Sequence, residues 1–279
     1  MIEFKQVCAA YDVEVPILRD VSFTINDGDF VAFIGTNGAG KSTTMRLCNG
    51  LLKPSSGEVL IDGVPTTQLK TSEIARKVGF LFQNPDRQIC CQTVREELQF
   101  GFSAQGITGA EVDERVDAII EEFGFDPDAE PFLLNRGTRQ LLALASIVVI
   151  APPVVILDEP TTGLDYRECE KVMNIVKRLH EQGTTVVMVC HDMEVVADFA
   201  DRVIAMTHGR VMADGPCFSI LRDQHVLEAA DIIAPQIVAI SERVCRELPQ
   251  FAQSPLAQAN HLHEMIQAIQ TCTGKGGVA

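Results

Sequence analysis

The first 80 or so residues alternate short apolar runs with clusters of turn residues. Asn26-Asp27-Gly28-Asp29 and Pro54-Ser55-Ser56-Gly57 are two such clusters. Apolar and β-branched runs that are bounded in this way predict β-strands. The predicted strands are residues 2–11, 18–25, 30–34, 58–61 and 78–82. The chain therefore begins with a mixed, strand-rich region.

From about residue 84 to residue 150 the apolar spacing becomes helical. Thr108 and Glu111 have the spacing of a capping box, and Gly124 suits a helix C-terminus. The apolar face between them consists of Val112, Val116, Ile119, Ile120 and Phe123. This pattern predicts a helical insertion, with one helix beginning near Thr108.

Core strands return after the insertion and alternate with helices. The uncharged stretch from Gln140 to Leu157 approaches the length of a membrane span, but Pro152-Pro153 interrupts it and acids follow at once. It predicts a buried helix, a turn and a core strand instead. The predicted strands are 154–157, 185–189 and 203–206, and the predicted helices are 167–182 and 192–200. Such alternation predicts a parallel sheet and an α/β fold.

The last 60 or so residues contain two amphipathic helical patterns. Their apolar positions are Ile237, Ile240, Val244 and Leu248, then Leu262, Met265, Ile266 and Ile269. Ser254 and Pro255 suit the N-cap and first position of the last helix, and residues 274–279 predict a frayed tail. Because apolar helix faces need a partner surface, we expect a helical extension at 218–279 that serves as a candidate dimerisation region.

Composition and charge narrow the function classes. With 279 residues, of which 46% are hydrophobic, the chain can bury one large α/β core with a small extension. The net charge of −15 disfavours a nucleic-acid surface, because phosphate binding needs clustered Lys and Arg. No segment predicts a membrane span and the N-terminus lacks the apolar stretch of a signal peptide, so any membrane role is expected to be peripheral.

The nine cysteines show no CxxC pair and no zinc-like spacing. This favours thiols that stay reduced in the cytosol. The adjacent Cys90 and Cys91 leave two interpretations, which are redox chemistry and small buried hydrophobic side chains.

A phosphate-binding loop lies between the strand at 30–34 and the next helix. It consists of Gly35, Thr36, Asn37, Gly38, Ala39, Gly40, Lys41, Ser42 and Thr43. The glycines let backbone N–H groups converge on phosphate oxygens, while Lys41 adds a cation and the Ser42 hydroxyl can bind Mg²⁺. The loop predicts that the chain binds ATP or GTP.

Charged residues follow the later core strands. Asp158 and Glu159 come directly after the strand at 154–157, an arrangement that can hold Mg²⁺ through the first acid and polarise a water with the second. A solvated acidic turn is the alternative for this pair. Asp165 and His191 also lie near strand ends, although a single His after a strand is usually structural.

Taken together, these residues resemble the nucleotide-binding domain of the ABC ATPases over residues 1–217. The matching positions are Tyr11, the loop at 35–43, Gln83, the segment 134–140, Asp158, Glu159, Asp165 in the D-loop and His191. The resemblance implies a P-loop fold with a mixed β subdomain, a parallel-sheet core and an inserted helical subdomain at about 84–150. It also implies that Tyr11 stacks on adenine, that Gln83 contacts Mg²⁺ and the attacking water, and that His191 reaches the γ-phosphate.

The signature segment departs from the family pattern. That family uses Leu-Ser-Gly-Gly-Gln to cap the ATP held by the opposite subunit, whereas this chain has Leu134 followed by Asn135, Arg136, Gly137 and Thr138. Asn135 can cap a helix and offer an amide to phosphate, and Arg136 adds charge. Leu141 also stands where an arginine is usual. The segment is therefore either a working variant or one half of a weak site in a heterodimer.

The segment 82–89, which reads Phe-Gln-Asn-Pro-Asp-Arg-Gln-Ile, resembles the ATPases of energy-coupling factor importers for vitamins and metal ions. In that group a groove beside this segment receives coupling helices of a membrane scaffold. Asp86 is thus the candidate contact for scaffold arginines, and a local loop charge is the alternative. The resemblance implies an ATP-hydrolysing, Mg²⁺-dependent peripheral subunit at the cytoplasmic face of the cell membrane. Its implied partners are a second ABC ATPase subunit, an integral scaffold and a substrate-binding membrane subunit.

Two other functions stay open. A soluble ABC-type clamp acting on ribosomes or DNA is disfavoured by the acidic charge and by the lack of tandem cassettes in this sequence. A cassette that binds ATP without hydrolysing it is disfavoured by Glu159 and His191, whereas Asn135 and Arg136 leave it open. The transported solute cannot be inferred from this chain.

Overall fold

Two β-sheets and the helices around them build the protein, as described by a computed structural model for residues 1–12 and 15–273. The strands, in chain order, are β1 (Ile2–Asp12), β2 (Val15–Ile25), β3 (Phe30–Gly35), β4 (Ser56–Ile61), β5 (Val64–Pro65), β6 (Val78–Leu81), β7 (Val154–Asp158), β8 (Thr185–Val189), β9 (Arg202–Thr207) and β10 (Arg210–Pro216). Every strand predicted from the sequence is present, with ends shifted by a few residues at most.

The first sheet is antiparallel, with the order β2-β1-β4-β5. In its register Ile2 of β1 lies opposite Ile25 of β2 on one side and opposite Ile61 of β4 on the other. All three side chains are buried, so this edge of the strand-rich opening region belongs to the core.

The second sheet has the order β10-β9-β3-β8-β7-β6, and all its pairs are parallel except the β9–β10 hairpin. The β10 strand lies at the edge, and none of its residues is fully buried. Because it lacks a buried apolar face, its sequence carries a weak strand pattern and does not predict it. The parallel sheet expected from the alternation of strands and helices is confirmed.

Alternate residues of β3 enter two different cores. Val31 and Phe33 pack with the antiparallel sheet, whereas Ala32 and Ile34 pack against helices on the opposite face. Successive side chains of a strand point to opposite faces, so a strand that is covered on both sides reads as one apolar run.

Helices cover the parallel sheet, form the insertion and build the C-terminal region. They are α1 (Lys41–Cys48), α2 (Thr71–Ile74), α3 (Val94–Ala104), α4 (Ala110–Phe123), α5 (Arg136–Val148), α6 (Tyr166–Glu181), α7 (Met193–Phe199), α8 (Cys217–Leu221), α9 (Gln224–Ala230), α10 (Gln236–Glu247) and α11 (Leu262–Thr273). The predicted helical insertion corresponds to α3, α4 and α5, which share a core that includes Leu98, Val116 and Leu142. The main core continues past Cys217, because Ile220 and Leu221 of α8 pack with the sheet.

The predicted capping box at Thr108 is wrong. Gly109 precedes α4 with φ +124°, a conformation that other residues rarely adopt, and no side chain caps that helix. The capping box instead lies at the start of α3, where Thr93 and Glu96 each accept a hydrogen bond from the other's backbone N–H. Gly124 ends α4 in the left-handed conformation, as expected for a helix C-terminus.

The predicted start of the last helix at Ser254-Pro255 is also wrong. Pro255 begins only a 3₁₀ turn, and α11 starts at Leu262. The guanidinium of Arg222 donates to the carbonyl oxygens of Ala257 and Ala259 at 3.0 and 2.7 Å, and these bonds from a distant part of the chain end the turn. The predicted tail at 274–279 lies outside the described residues.

Within residues 1–12 and 15–273, no helix combines the length and the apolar character that crossing a membrane requires. The stretch from Gln140 to Leu157 is α5, a turn and β7, as the sequence predicts. Leu142, Leu144 and Leu157 are fully buried inside the protein.

Candidate functional site

Four neighbouring parallel strands end at one edge of the six-stranded sheet, and a predicted site residue lies at or just after each end. Gly35 ends β3, His191 follows β8, Asp158 ends β7 and Gln83 follows β6. Ligands of open α/β sheets bind outside the carboxyl ends of the strands. The strand order β3-β8-β7-β6 therefore brings together residues that are far apart in the sequence.

The loop between β3 and α1 is built on close backbone contacts. A Cβ atom at Gly35 would lie 2.0 Å from the carbonyl oxygen of Met206, and Gly40 precedes α1 with φ +99°. Both positions therefore require glycine. The ammonium group of Lys41 donates to the carbonyl oxygens of Gly35 and Thr36 at 2.7 and 2.9 Å. Burial lowers the pKa of Lys41. An anion bound in the loop would act in the opposite direction and favour the charged form of the lysine.

Asp158 and Ser42 meet beside this loop. The Ser42 hydroxyl donates to Oδ1 of Asp158 at 3.3 Å, and Asp158 is only 8% exposed. Burial raises the pKa of this carboxyl group. A buried carboxylate beside a hydroxyl provides the oxygen ligands that Mg²⁺ prefers. The residues present thus fit a Mg²⁺ ion.

Glu159 is the centre of a hydrogen-bonded group. Its Oε2 accepts from Gln83 Nε2 at 2.7 Å and from Thr162 Oγ1 at 3.0 Å. Its Oε1 lies 3.2 Å from Nε2 of His191. Glu159 itself has φ +52°, a strained conformation for a residue other than glycine and one that is typical of functional sites. Sequence reasoning does not identify Thr162, for which the only signal is the polar Thr161-Thr162 pair after the acids.

Two cavities that share Asn37, Glu159 and His191 open at this edge of the sheet. One, of about 270 Å³, is lined by the phosphate-binding loop and by Ile17. The other, of about 800 Å³, extends from the loop to residues 231–234 and 236 at the start of the C-terminal region. Space for a polyphosphate therefore lies against the loop lysine and the Glu159 group.

Tyr11 lies on β1 and is 55% exposed. Its hydroxyl accepts a hydrogen bond from Nη1 of Arg46 at 2.7 Å, and the Arg46 guanidinium stands 5.7 Å from the ring centroid. The adenine-stacking role of Tyr11 stays a prediction, and Ile17 is the apolar side chain that lines the loop cavity.

The comparison with known families decides the family of this chain. A family model described as ABC transporter matches residues 18–162, just over half of the chain. The chain belongs to the ABC transporter family. The predicted fold class and the predicted ATPase class are confirmed, and the chain is an ABC ATPase, a class of protein that binds ATP.

Curated relatives agree with this assignment. An ABC transporter ATP-binding protein of Caldanaerobacter subterraneus is 39% identical over 247 residues, which cover 88% of this chain and 43% of that protein. The energy-coupling factor transporter ATP-binding protein EcfA of Methanothermobacter thermautotrophicus is 37% identical over 248 residues, which cover 88% of this chain and 80% of EcfA. The chain therefore spans less than half the length of the first relative and most of the second.

Solved structures of ABC cassettes share the fold. The cbiO1 protein of Clostridium perfringens, part of the ABC transporter complex cbiONQ, matches with a TM-score of 0.72 and 28% identity over 90% of this chain and 96% of cbiO1. The cassette MJ0796, solved as a dimer in a post-hydrolysis state bound to ADP and Pi, matches with a TM-score of 0.69 and 32% identity over 78% of this chain and 99% of MJ0796. Both likenesses cover most of the cassette.

The variant signature of this ABC cassette contacts the segment that follows Glu159. Asn135 caps α5, as the sequence predicts, by accepting from the Thr138 N–H at 2.8 Å. Arg136 Nη2 donates to the carbonyl oxygen of Thr162 at 3.1 Å, and its guanidinium leaves little space above Gly163. Arg136 of the signature thus contacts the backbone of Thr162, and the side chain of Thr162 hydrogen-bonds the Glu159 carboxylate.

Asp165, the predicted D-loop residue, forms the N-cap of α6. Its Oδ1 accepts from the Glu168 N–H at 2.8 Å, and Glu168 Oε2 accepts from the Asp165 N–H at 3.0 Å. A Cβ atom at Gly137 would lie 1.8 Å from Oε1 of the same Glu168. The start of α5 and the start of α6 are therefore packed against each other.

Asp86 lies in the 3₁₀ turn Pro85–Arg87 that follows Gln83. Its Oδ1 is 3.0 Å from Nε of Arg139 on α5, and its side chain is half exposed. Asp86 thus already has a cationic partner within this subunit, which fits the alternative of a local charge.

An apolar groove is lined by residues of β6, α3 and α5. It encloses about 300 Å³, and its lining includes Leu51, Phe80, Phe100, Gly101 and Ile147. Leu51 and Phe100 are each more than half exposed. Exposed apolar side chains gathered around a concave surface mark a site for a partner.

Proposed function

We propose that the chain is the ATP-hydrolysing subunit of an energy-coupling factor type importer, which drives uptake of a vitamin or a transition-metal ion. The observation that carries the proposal is the position of Glu159, in contact with Gln83, Thr162 and His191 beside the phosphate-binding loop. The similarity to EcfA and to cbiO1 supports the importer type.

In the proposed mechanism the loop N–H groups and Lys41 hold the triphosphate. Ser42 and Asp158 would bind Mg²⁺, with Gln83 as a further ligand, and the ion neutralises phosphate charge when bound. Glu159 takes a proton from the attacking water, and His191 contacts the γ-phosphate while holding the carboxylate in place. Tyr11 stacks on the adenine.

The proposed active form is a head-to-tail dimer. The segment 135–138 and Asp165 of one subunit would then contact the ATP held by the other. We assign residues 1–217 to the nucleotide-binding domain and residues 218–279 to a dimerisation region. Exposed apolar side chains of the latter support this assignment, and they are Ile233, Ile240, Leu248, Leu262, Ile266 and Ile269. The partner is a second copy or a related ABC ATPase.

The apolar groove is the proposed docking site for a coupling helix of an integral membrane scaffold. Its concave apolar lining suits an amphipathic helix. Asp86, two residues before the groove residue Gln88, would exchange Arg139 for a scaffold arginine. In this proposal a substrate-binding membrane subunit completes the complex, and the cassette lies at the cytoplasmic face of the membrane.

A second candidate function rests on the signature segment. Because Arg136 replaces a glycine and contacts its own subunit, the chain could bind ATP as a regulatory cassette without hydrolysing it. Phosphate release by the purified complex distinguishes the two functions. A rate that stays at the background without enzyme would favour the regulatory cassette.

The test is purification of the tagged full chain from its native membranes in mild detergent, with mass spectrometry and an ATPase assay. The proposal expects a polytopic scaffold and a small membrane protein to co-purify. Phe100→Asp should release them without changing ATP affinity, because Phe100 lines the groove and not the loop. Met212→Asp, at an exposed position on β10, is the matched control and should retain them. Recovery of ribosomal or DNA-repair proteins alone would overturn the importer.

A further inference from the structure

Three metal-ligating side chains meet between the turn at Pro85–Arg87 and α3. The sulfur atoms of Cys90 and Cys91 and a carboxylate oxygen of Glu97 all lie within 4.8 Å of one another. Cys90 is exposed and Cys91 is half-buried, so neither is the fully buried hydrophobic side chain that the sequence suggests as one interpretation. Glu97, in contrast, is only 3% exposed.

Glu97 holds the backbone of the two cysteines in place. Its Oε2 accepts from the N–H groups of Cys90 and Cys91, each at 2.9 Å. The next two N–H groups, of Gln92 and Thr93, both donate to Oε2 of Glu96 at 3.2 Å. Four consecutive backbone donors are thus bound by two acids of the first turn of α3. The two thiols are therefore displayed on an ordered loop beside a buried carboxylate.

The charge at this cluster is not balanced by the protein. Among residues 1–12 and 15–273, no Lys, Arg or His forms an ion pair with Glu97 within 4.0 Å. A bound divalent cation would supply positive charge beside this buried carboxylate.

We propose that Cys90, Cys91 and Glu97 form a binding site for a thiophilic divalent cation of the Zn²⁺ class. Two thiolates and one carboxylate are a donor set that zinc accepts, with water in the fourth position. Two sulfur ligands bonded at about 2.3 Å in a tetrahedral site lie about 3.8 Å apart. The sulfurs, within 4.8 Å of each other, would have to approach by at most about 1 Å, a shift that side-chain rotation can supply. Binding converts two thiols to metal thiolates and releases two protons to the buffer.

The site is separate from the nucleotide site, whereas Glu97 also lines the apolar groove proposed as the docking site. None of the three residues lines either cavity at the phosphate-binding loop. The exposed thiol of Cys90 gives a cation direct access from solvent. ATP binding and metal binding can therefore be measured separately.

The test is a titration of the reduced, metal-free full-length chain with Cd²⁺, followed by the thiolate-to-cadmium charge-transfer absorbance, with Zn²⁺ as the competitor. We expect one tight equivalent of Cd²⁺ that Zn²⁺ displaces. Cys90→Ser or Cys91→Ser should weaken binding at least tenfold, and the double variant should abolish the band. Lowering the pH should weaken binding, because protons compete for both sulfurs.

Two further variants keep the test decisive. Cys245→Ser removes another half-buried thiol, one outside the cluster, and should leave the titration unchanged. Glu97→Gln keeps an oxygen acceptor for the two backbone N–H groups but loses the charge, so it should fold and bind the cation more weakly. The proposal is overturned if the wild-type titration matches that of the Cys90→Ser/Cys91→Ser double variant, or if Cys245→Ser removes the band.

Discussion

Replacement of Glu159 by Gln tests the central assignment with little structural change. The carboxylate accepts through Oε2 from Gln83 and Thr162, and its Oε1 faces Nε2 of His191. A glutamine amide can place its oxygen towards the first two donors and its NH₂ group towards the imidazole nitrogen. All three contacts survive, so we expect the free energy of unfolding to change by less than about 1 kcal/mol.

The rate should nevertheless fall sharply, because an amide cannot accept a proton from water. Loss of a general base costs about 10²–10⁴ in kcat, which is roughly 3–6 kcal/mol at about 1.4 kcal/mol per decade. ATP affinity should stay within about twofold, since Glu159 contacts Gln83, Thr162 and His191, whereas the proposed phosphate contacts come from the loop. Phosphate release by the purified membrane complex gives kcat, and calorimetric titration of the chain with ATP and Mg²⁺ gives the affinity.

Glu170→Gln is the matched control, because Glu170 is an exposed acid on α6 outside the site. It should leave both kcat and affinity unchanged. Near-normal turnover by Glu159→Gln would refute the assignment of the base. Loss of ATP binding by a variant that keeps its circular dichroism spectrum would refute the argument that the hydrogen-bonded group survives the substitution.

Three further predictions follow from individual contacts. Burial raises the pKa of Asp158 above the 3.8 of a solvated aspartate, so the folded chain binds this proton more tightly than the unfolded chain, and stability falls as the pH rises above that range. Asp158→Asn should therefore raise the melting temperature of the nucleotide-free chain at neutral pH. It should also abolish the further rise that MgATP causes in the wild type, and thermal denaturation measures both effects. Arg136→Gly removes the hydrogen bond to the Thr162 carbonyl oxygen and should change kcat more than about threefold, with little change in the KM for ATP. Arg136→Lys should partly restore kcat. Equal rates for the wild type and both variants would contradict a positioning role for Arg136. Arg222→Gln should destabilise the turn that precedes α11 by about 1.5–3 kcal/mol for each hydrogen bond lost from a charged donor, and hydrogen exchange in α11 should become faster. Unchanged exchange would show that the hydrogen bond from Arg222 to the Ala259 carbonyl oxygen does not hold this region.

The strands and the phosphate-binding loop could be predicted because their signals are local. Val31 to Ile34 form an apolar run since both faces of β3 are covered, and Gly35 and Gly40 are required by backbone conformation and by close contacts. Asp158 and Glu159 could be located because they stand at the end of a similar apolar run, Val154 to Leu157. Residues that act through their own backbone geometry leave a pattern in the sequence around them.

One error arose where a distant contact overrides a local pattern. Ser254-Pro255 has the sequence of a helix start, but Arg222 binds the following carbonyl groups and α11 begins later. The Thr108 capping box fails for a local reason, because the N-cap position is Gly109, which has no side chain that could accept a hydrogen bond. Local propensity is a weak determinant when tertiary hydrogen bonds compete with it.

The sequence by itself thus determined the fold class and the position of the phosphate-binding loop, and it predicted Glu159 as the catalytic carboxylate, because each of these signals lies in residues close together in the chain. Only the tertiary structure decided that Thr162 shares Glu159 with Gln83, and that Arg136 contacts the segment after β7. It alone also placed the adjacent Cys90 and Cys91 beside the buried carboxylate of Glu97. These contacts join residues from different elements, and their geometry depends on the order in which the strands lie in the sheet and on how the helices pack.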